Sequence, residues 1–236
     1  MSNFIGVTLT GIDQSTDLDR AIELSHRHEM LEWGVLLGGT PSPRYPSISF
    51  IQAWADRANR EGVPAALHLC GRFARAWIDN DPEIVALANQ FGRIQVNVVA
   101  ARINVDALVE AVRTQRHPNV ITQHNDANQV ITDRLSDVPT HSILFDASGG
   151  RGVGPEQWPS PVPGKVCGYA GGMGPQNVRE ELHRIAPLAQ KLPFWIDMEG
   201  RVRTPADTLD LDACTAVLSE VGRFLGHSPS RVGPAP

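Results

Sequence analysis

The chain has 236 residues, of which 21 are Lys or Arg and 26 are Asp or Glu, so its formal net charge is −5. A hydrophobic fraction of 42% and a charged fraction of 20% exclude a disordered chain, and no run approaches the roughly 18 apolar residues of a membrane span. The acidic balance, without any basic run, argues against a nucleic-acid-binding surface. We therefore expect neither a nucleic acid nor a membrane as partner.

The N-terminal stretch MSNFIGVTLTG lacks a basic region followed by an apolar run, so the sequence shows no secretory signal. Three widely spaced cysteines, Cys70, Cys167 and Cys214, fit a reducing compartment without a disulfide framework. We therefore predict a cytoplasmic protein. The sequence has neither a CxxC pair nor a Cys/His zinc spacing, and we expect no metal and no cofactor.

Short apolar runs rich in β-branched residues alternate with amphipathic stretches along the chain. The runs recur about every 20 to 30 residues, which is the size of a βα unit. Several of them lack apolar/polar alternation, as is typical of parallel strands buried on both faces. The sequence predicts eight strands, at Ile5–Leu9, Gly34–Leu37, Ala65–Leu69, Ile94–Val99, Val120–Gln123, Ile143–Phe145, Lys165–Ala170 and Phe194–Ile196.

Helical patterns fill most of the intervals between these runs. They predict helices at Asp17–Leu31, Ser49–Arg60, Asp81–Phe91, Asn104–Arg116, Asp126–Leu135, Gln176–Leu192 and Asp210–Leu225. Pro187 is expected to shorten or kink the sixth of these helices. The exception is Ser148–Pro163, whose sequence SGGRGVGPEQWPSPVP excludes a long helix. A long loop at this place in a compact domain is usually functional or disordered.

Strict alternation of strand and helix over eight units is compatible with a closed (β/α)8 barrel or with an open doubly wound sheet. The GxGxxG fingerprint of a dinucleotide-binding sheet is missing after the first strand, and this favours the barrel. No linker divides the chain. We predict an α/β fold, a single (β/α)8 TIM barrel over residues 1–227 with a C-terminal tail at 228–236.

Polar residues follow the apolar runs, at the strand ends where barrels place their active sites. In chain order these residues are Thr10, Gly38, Gly39, His68, Cys70, Asn97, His124, Asn125, Asp146, Gly171, Gly172, Asp197 and Glu199. Asp146 directly follows the apolar run of the sixth strand. A carboxylate with apolar walls suits proton transfer, and the alternative role is to cap the Gly-rich turn that follows.

His68 and Cys70 are two residues apart, so on a strand their side chains point to the same side. If that side is the lumen, both reach the site. If it is the helix side, His68 is a buried structural histidine, and Cys70 in either case is a thiolate only if its pKa is lowered. The sequence leaves these alternatives open.

Two Gly-bearing loops follow the last two strands, one at Gly171–Gly172 and the other at Asp197–Gly200. In barrels, the loops after strands 7 and 8 often bind phosphate through backbone N–H groups. Paired glycines let an anion approach the backbone closely. The sequence therefore predicts a phosphate site here, against the alternative that the glycines only shape the turns.

Four segments, taken in order, resemble one family. They are TPSPRYPS at Thr40–Ser47, LFDASGGRG at Leu144–Gly152, AGGMGPQNV at Ala170–Val178, and Asp197–Gly200. On the basis of these four segments, the chain resembles phosphoribosylanthranilate isomerase and, more broadly, the phosphate-binding TIM barrels. The resemblance covers nearly the whole chain in strand order. It implies an Amadori rearrangement of an aminoaldose phosphate to a 1-amino-2-ketose phosphate, with a small phosphorylated or anionic substrate.

The resemblance also implies roles for single residues. Asp146 matches the family's general acid, and Asp197 and Gly200 match its strand-8 loop. The family's general base is a cysteine at the end of strand 1, but Thr10 stands at that position in VTLTG. Because a threonine hydroxyl stays protonated near neutral pH, it cannot readily accept the C2 proton.

Possible substitutes for the missing base are Cys70, His68, Asp13 and Glu199. Arg44 lies in the loop after strand 2 that matches the family's arginine. Arg151 replaces the threonine of the family's GGTG loop. Both guanidinium groups are expected to face an anionic substrate, and the alternative for each is a solvated position on the surface.

Three functions remain open at this point. The first is an isomerase-like enzyme, or a related lyase or epimerase, with Asp146 as the acid. The second is a ligand-binding or regulatory barrel that has lost catalysis, as Thr10 suggests. The third is a metal-dependent enzyme, for which His68, Cys70, His124, Asp146, Asp197 and Glu199 offer ligands but no diagnostic spacing.

Overall fold

Eight parallel strands close into a barrel, each hydrogen-bonded to the next and β8 to β1, in a computed structural model that describes residues 3–146 and 154–226. The strands are β1 Phe4–Thr10, β2 Leu31–Leu37, β3 Ala65–Cys70, β4 Arg93–Asn97, β5 Val120–His124, β6 His141–Asp146, β7 Cys167–Ala170 and β8 Phe194–Met198. The predicted TIM barrel is confirmed. Each predicted strand overlaps an observed one, although β2 begins three residues earlier, at Leu31 rather than Gly34.

Helices surround this barrel in the described residues. They are α1 Leu18–Arg27, α2 Ile48–Glu61, α3 Arg72–Ile78, α4 Pro82–Ala88, α5 Val105–Arg113, α6 Gln129–Arg134, α7 Val178–Ala189 and α8 Leu211–Phe224. Short 3₁₀ turns follow β4 at Ala100–Arg102, β5 at Asp126–Asn128 and β8 at Gly200–Val202. None of these helices has the length and apolar character that a membrane span requires.

Local capping explains where several helices begin. Asp81 accepts hydrogen bonds from the first N–H groups of α4, and Pro82 occupies the first turn, as the sequence predicts. Ser47 and Asp210 cap α2 and α8 in the same way. Pro187 lies inside α7, which ends at Ala189 rather than at Leu192.

Helix α3 has no counterpart among the helices that the sequence predicts. Its seven residues follow directly on β3 and precede α4, so the β3–β4 connection carries two short helices. The β6–β7 connection is the converse case, because its described part, residues 154–166, contains no helix, as predicted. Residues 147–153 of that connection, which include Arg151, lie outside the described residues, as does the C-terminal tail from residue 227.

Polar side chains fill the N-terminal end of the lumen. Arg93 on β4 donates to Glu32 on β2 at 2.5 Å and to Thr8 on β1 at 3.1 Å, and Glu32 also accepts from Thr8. The Arg93 guanidinium stacks on the ring of Trp195 at 4.7 Å from its centroid. This cluster fills the N-terminal end of the lumen with paired charged side chains and an aromatic ring.

Candidate active site

A cavity of about 430 Å³ opens at the C-terminal end of the barrel. Its lining includes eight of the predicted site residues, namely Arg44, His68, Cys70, Asp146, Gly171, Gly172, Asp197 and Gly200. Thr10 contacts the cavity indirectly, through a hydrogen bond to Asp197. The strand-end residues therefore converge, as the barrel fold requires.

Two buried carboxylates lie at the same level of the barrel. Asp146 on β6 pairs in register with Ala170 on β7, and Ala170 pairs with Asp197 on β8. Because neighbouring strands are about 4.8 Å apart, the backbones of the two aspartates are separated by about twice that distance. Gln123 on β5 donates to Asp146 Oδ2 at 3.0 Å. Both carboxyl groups line the cavity.

Asp197 is held by Thr10, whose hydroxyl donates to Asp197 Oδ1 at 2.9 Å. Burial raises the pKa of Asp197 from 3.8 to about 8, the Thr10 bond opposes this rise, and the charges of Glu199 and Glu32 add to it. His68 Nε2 lies 3.9 Å from Asp197 Oδ2. Because burial lowers the pKa of His68 to about 3, the two groups are both neutral near pH 7 and form no ion pair.

His68 and Cys70 both face the lumen, which answers the question that the sequence left open. Asn97 Nδ2 donates to the Cys70 sulfur at 3.3 Å, and Gln95 Nε2 donates to Asn97 Oδ1 at 2.9 Å. Burial raises the pKa of the Cys70 thiol to about 11, and the Asn97 bond opposes this only in part. Cys70 is therefore a thiol at neutral pH, not a thiolate.

Arg44 reaches the cavity but is already bound by carboxylates. Its Nη2 and Nε donate to Asp207 at 2.7 and 3.0 Å, and its Nη1 donates to Glu199 at 2.7 Å. The same bonds hold the pKa of Asp207 well below its usual range. The expected contact between Arg44 and an anionic substrate stays a prediction, and it now requires competition with two carboxylates.

No sequence pattern indicates Asp207 or its second partner, Arg203, as part of this site. Arg203 Nε donates to Asp207 at 2.9 Å, and its Nη2 lies 3.3 Å from Asp13 Oδ2. Both side chains of the Arg203–Asp13 pair are almost fully buried, with 2% and 1% exposed. Asp13 also accepts from the Leu209 N–H at 2.8 Å. Asp13 therefore anchors the β8–α8 connection and lies outside the cavity lining.

The β7–α7 loop has a backbone geometry that suits glycine. Gly171 and Gly172 have φ values of 120° and 65°, which side-chain-bearing residues rarely adopt. Asn177 Nδ2 donates to the Gly172 carbonyl at 3.0 Å, and Asn177 Oδ1 accepts from the Gly174 N–H at 2.9 Å. The 3₁₀ turn that begins at Gly200 lies against this loop, since a Cβ on Gly174 would approach the Arg201 Cβ to 2.7 Å.

Among the described residues, no group of three or more His, Cys, Asp or Glu side chains is arranged to hold a metal ion. His124, one of the six ligands considered from the sequence, points away from the lumen. Its ring bonds the Thr132 hydroxyl on α6 at 2.8 Å and packs edge-on against Phe145.

Comparison with known proteins matches the fold to solved TIM barrels. TrpF from Jonesia denitrificans superposes with a TM-score of 0.63 at 17% identity, over 94% of this chain and 98% of its own. Phosphoribosyl anthranilate isomerase from Thermus thermophilus also gives 0.63 at 17% identity, over 93% and 99%. A truncated 3-deoxy-D-arabino-heptulosonate 7-phosphate synthase from Thermotoga maritima gives 0.57 at 10% identity, over 96% and 89%.

No family model and no curated protein matches the sequence. At such low identities the structural likeness establishes the barrel fold alone. These similar structures carry the names of enzymes, an isomerase and a synthase among them. The chain is thus a TIM barrel similar in fold to phosphoribosylanthranilate isomerase.

Proposed function

We propose that the chain is an isomerase-like enzyme that moves protons on a small phosphorylated sugar-type substrate. The observation that carries this proposal is the pair of buried carboxylates, Asp146 and Asp197, at one level of a cavity whose rim holds Gly171, Gly172 and Gly200. Two carboxyl groups of this kind supply an acid and a base. The reaction class is the one that the sequence resemblance implies.

Asp146 is the general acid of this proposal. It donates a proton to the ring oxygen of the sugar as the bond between that oxygen and C1 breaks, which leaves an iminium when C1 carries nitrogen. A base then removes the C2 proton, and the resulting enolamine becomes the 1-amino-2-ketose. Gln123 holds one Asp146 oxygen at 3.0 Å and so orients the carboxyl group.

Asp197 is the base in our proposal, acting in the ionised form whose fraction grows as the pH approaches 8, because each other candidate is less suited. Burial keeps Cys70 protonated and makes His68 a very weak base. Glu199 is paired with Arg44 at 2.7 Å, and Asp13 is paired with Arg203 outside the cavity lining. Asp197 bonds the Thr10 hydroxyl at 2.9 Å, so its carboxylate lies beside the position of the family's cysteine.

The phosphate group of the substrate binds, in this proposal, at the loops after β7 and β8. Glycine at 171, 172 and 200 leaves backbone N–H groups open to an oxyanion. The Arg201 side chain adjoins Gly174 and makes no ion pair or hydrogen bond with another described residue. It supplies a positive charge for this group.

Hydrogen exchange tests the proton transfer without requiring the natural substrate. The protein is incubated in D2O with a panel of aldose phosphates, and deuterium entry at C2 is followed by NMR. Asp146→Asn and Asp197→Asn should each slow exchange by about 10² to 10⁴, whereas Asp56→Asn on the exposed face of α2 should not. Exchange that persists in both variants would contradict the acid and base assignment.

Fluorescence decay of phosphoribosylanthranilate tests the narrower activity. Because Thr10 replaces the cysteine, we propose a related isomerase, lyase or epimerase ahead of phosphoribosylanthranilate isomerase itself. Decay at the rate of buffer alone would eliminate the narrow activity and leave the wider proposal in place.

The second candidate function is a barrel that binds a phosphorylated ligand but no longer catalyses. Thr10 favours this second function, because a threonine at position 10 offers no thiolate base. Its hydroxyl instead donates a hydrogen bond to Asp197. In this case phosphate binds, C2 exchange is absent, and Asp146→Asn has no effect on ligand affinity or on any cellular phenotype.

A further inference from the structure

Most arginines of this acidic chain are already neutralised by a partner. In the described residues, four guanidinium groups make no ion pair, hydrogen bond or ring contact, and these belong to Arg60, Arg75, Arg102 and Arg201. Three of the four line the cavity, and only Arg60, on α2, does not. Unpaired guanidinium groups of the described residues are therefore concentrated at the cavity mouth, in a chain whose net charge is −5.

Arg75 and Arg102 lie together on one side of this mouth. Arg75 is on α3, which follows β3, and Arg102 ends the 3₁₀ turn that follows β4. Both also line a second cavity of about 330 Å³ that shares Arg75, Arg102 and Ile103 with the first. Asp79 lines this second cavity as well but forms no ion pair with either arginine.

This pair of arginines faces the glycine loops across the barrel. In a closed barrel of eight strands in sequential order, β3 and β4 lie four strands away from β7 and β8, which is the opposite side. Arg201 and the glycine loops occupy the β7–β8 side, and Arg75 and Arg102 occupy the β3–β4 side. Two separate positive regions therefore border one cavity.

The lumen between these regions holds an unused hydrogen-bond acceptor. Gln95 is only 4% exposed, it lines the cavity, and its Oε1 has no hydrogen-bond partner. Its Nε2 is already committed to Asn97 at 2.9 Å. A buried acceptor without a partner is costly, so a ligand hydroxyl or amino group that donates to Gln95 is favoured here.

We propose that Arg75 and Arg102 form a second oxyanion-binding subsite, and that the substrate carries an oxyanion group at each end of a chain with hydroxyl or amino donors. Two guanidinium groups on one cavity wall suit a phosphate or carboxylate, because each guanidinium group can donate two N–H bonds to such an anion. The placement of the other oxyanion at Gly171, Gly172 and Gly200 rests on the proposed function.

Equilibrium dialysis with radiolabelled inorganic phosphate tests the subsite. The wild-type protein should bind two phosphates per chain, and Arg75→Gln combined with Arg102→Gln should lose one of them. Gly200→Asp should lose the other by charge repulsion, because a Cβ at Gly200 meets open space and its backbone is unstrained. Arg60→Gln is the matched control, because Arg60 lies outside the cavity lining, and it should retain two phosphates.

The outcomes separate this subsite from the proposed function. If the arginine double variant binds as much phosphate as the wild type, with unchanged affinity, the second subsite is overturned and the exposed arginines are only a solvated surface. If the double variant loses phosphate while Gly200→Asp does not, the second subsite is supported and the phosphate site of the proposed function is contradicted.

A series of alkane-α,ω-bisphosphonates of increasing length tests whether one ligand occupies both regions. One chain length should bind at least about tenfold more tightly than the alkylphosphonate of equal length, because the second group binds at a high effective concentration. The advantage should vanish in the arginine double variant and persist in Arg60→Gln. An affinity that does not depend on length would overturn the two-ended substrate.

Discussion

The Thr10 hydroxyl on β1 donates a 2.9 Å hydrogen bond to the Asp197 carboxyl group on β8. Both side chains are buried, and the two residues are 187 positions apart in the sequence. The bond stabilises a carboxylate that burial otherwise disfavours, since the pKa of Asp197 is raised to about 8. The threonine that takes the place of the family's cysteine is thus coupled directly to the proposed base.

We expect Asp197→Asn to flatten the pH dependence of stability. Because burial raises the folded-state pKa from 3.8 to about 8, the neutral carboxyl stabilises the fold below about pH 4, and this contribution is lost as the pH rises through about 8. The asparagine of the variant cannot ionise. As the pH rises between these values, the free energy of unfolding of the variant should therefore increase relative to that of the wild type by a few kcal/mol. Urea unfolding at several pH values measures this difference.

Asp56→Asn, which removes an exposed carboxylate on α2, is the control for the change in net charge. If Asp197→Asn and the wild type keep parallel stability profiles from acid to alkaline pH, Asp197 is not a buried group with a raised pKa.

Thr10→Val should raise the pKa of Asp197 further, because the variant keeps the shape of the side chain and removes the donor. We expect a loss of about 1 to 3 kcal/mol in unfolding free energy above pH 8, where the carboxylate is charged, and a smaller loss at acid pH. Thr10→Ser retains the hydroxyl and serves as the control. Carboxyl-carbon NMR titration of Asp197 measures the shift, and an unchanged titration in Thr10→Val would refute the coupling.

The barrel was predictable because both of its signals are local. Each strand is a short apolar run, and each long helix has a face of apolar residues with a recognisable cap, as Asp81 and Pro82 show for α4. Helix α3 was not predicted for a physical reason, since its seven residues make only about two turns between β3 and the next cap. Strand-end residues followed from the barrel rule, which brought His68, Cys70, Asp146 and Asp197 to one cavity.

The contacts within the site were not predictable in the same way. Arg44 bonds Asp207 across 163 residues of sequence, and no local pattern marks a pair so distant. The loops that bring these residues together are set by the closure of β8 onto β1. The same holds for Arg75, which lies on the short helix that was missed. That Arg75 forms no ion pair, although Asp79 lines the same cavity, becomes visible only in three dimensions.

Arg203→Met should be among the most destabilising single changes at the mouth of the barrel. Arg203 and Asp13 are 2% and 1% exposed, so removing the cation leaves a buried carboxylate without its charge partner. The expected loss is about 3 to 5 kcal/mol. Arg223→Met removes one partner of the exposed pair with Glu220 and should cost no more than about 1 kcal/mol. Equal melting temperatures for the two variants would contradict the prediction.

Gly34→Ala should destabilise the barrel and disturb the proposed base at the same time. Gly34 on β2 pairs in register with Thr10, and a Cβ at this position would lie 2.3 Å from the Thr10 hydroxyl oxygen. The side chain of Thr10 must move, so the bond to Asp197 weakens, and we expect a loss of about 1 to 3 kcal/mol. Gly200→Ala, whose added Cβ meets open space, is the control.

A double variant tests whether the two side chains interact. Thr10→Ala combined with Gly34→Ala removes the oxygen that collides with the new Cβ, so the double variant should lose less unfolding free energy than the sum of the two single losses. Strictly additive losses in chemical unfolding would show that the two side chains do not interact.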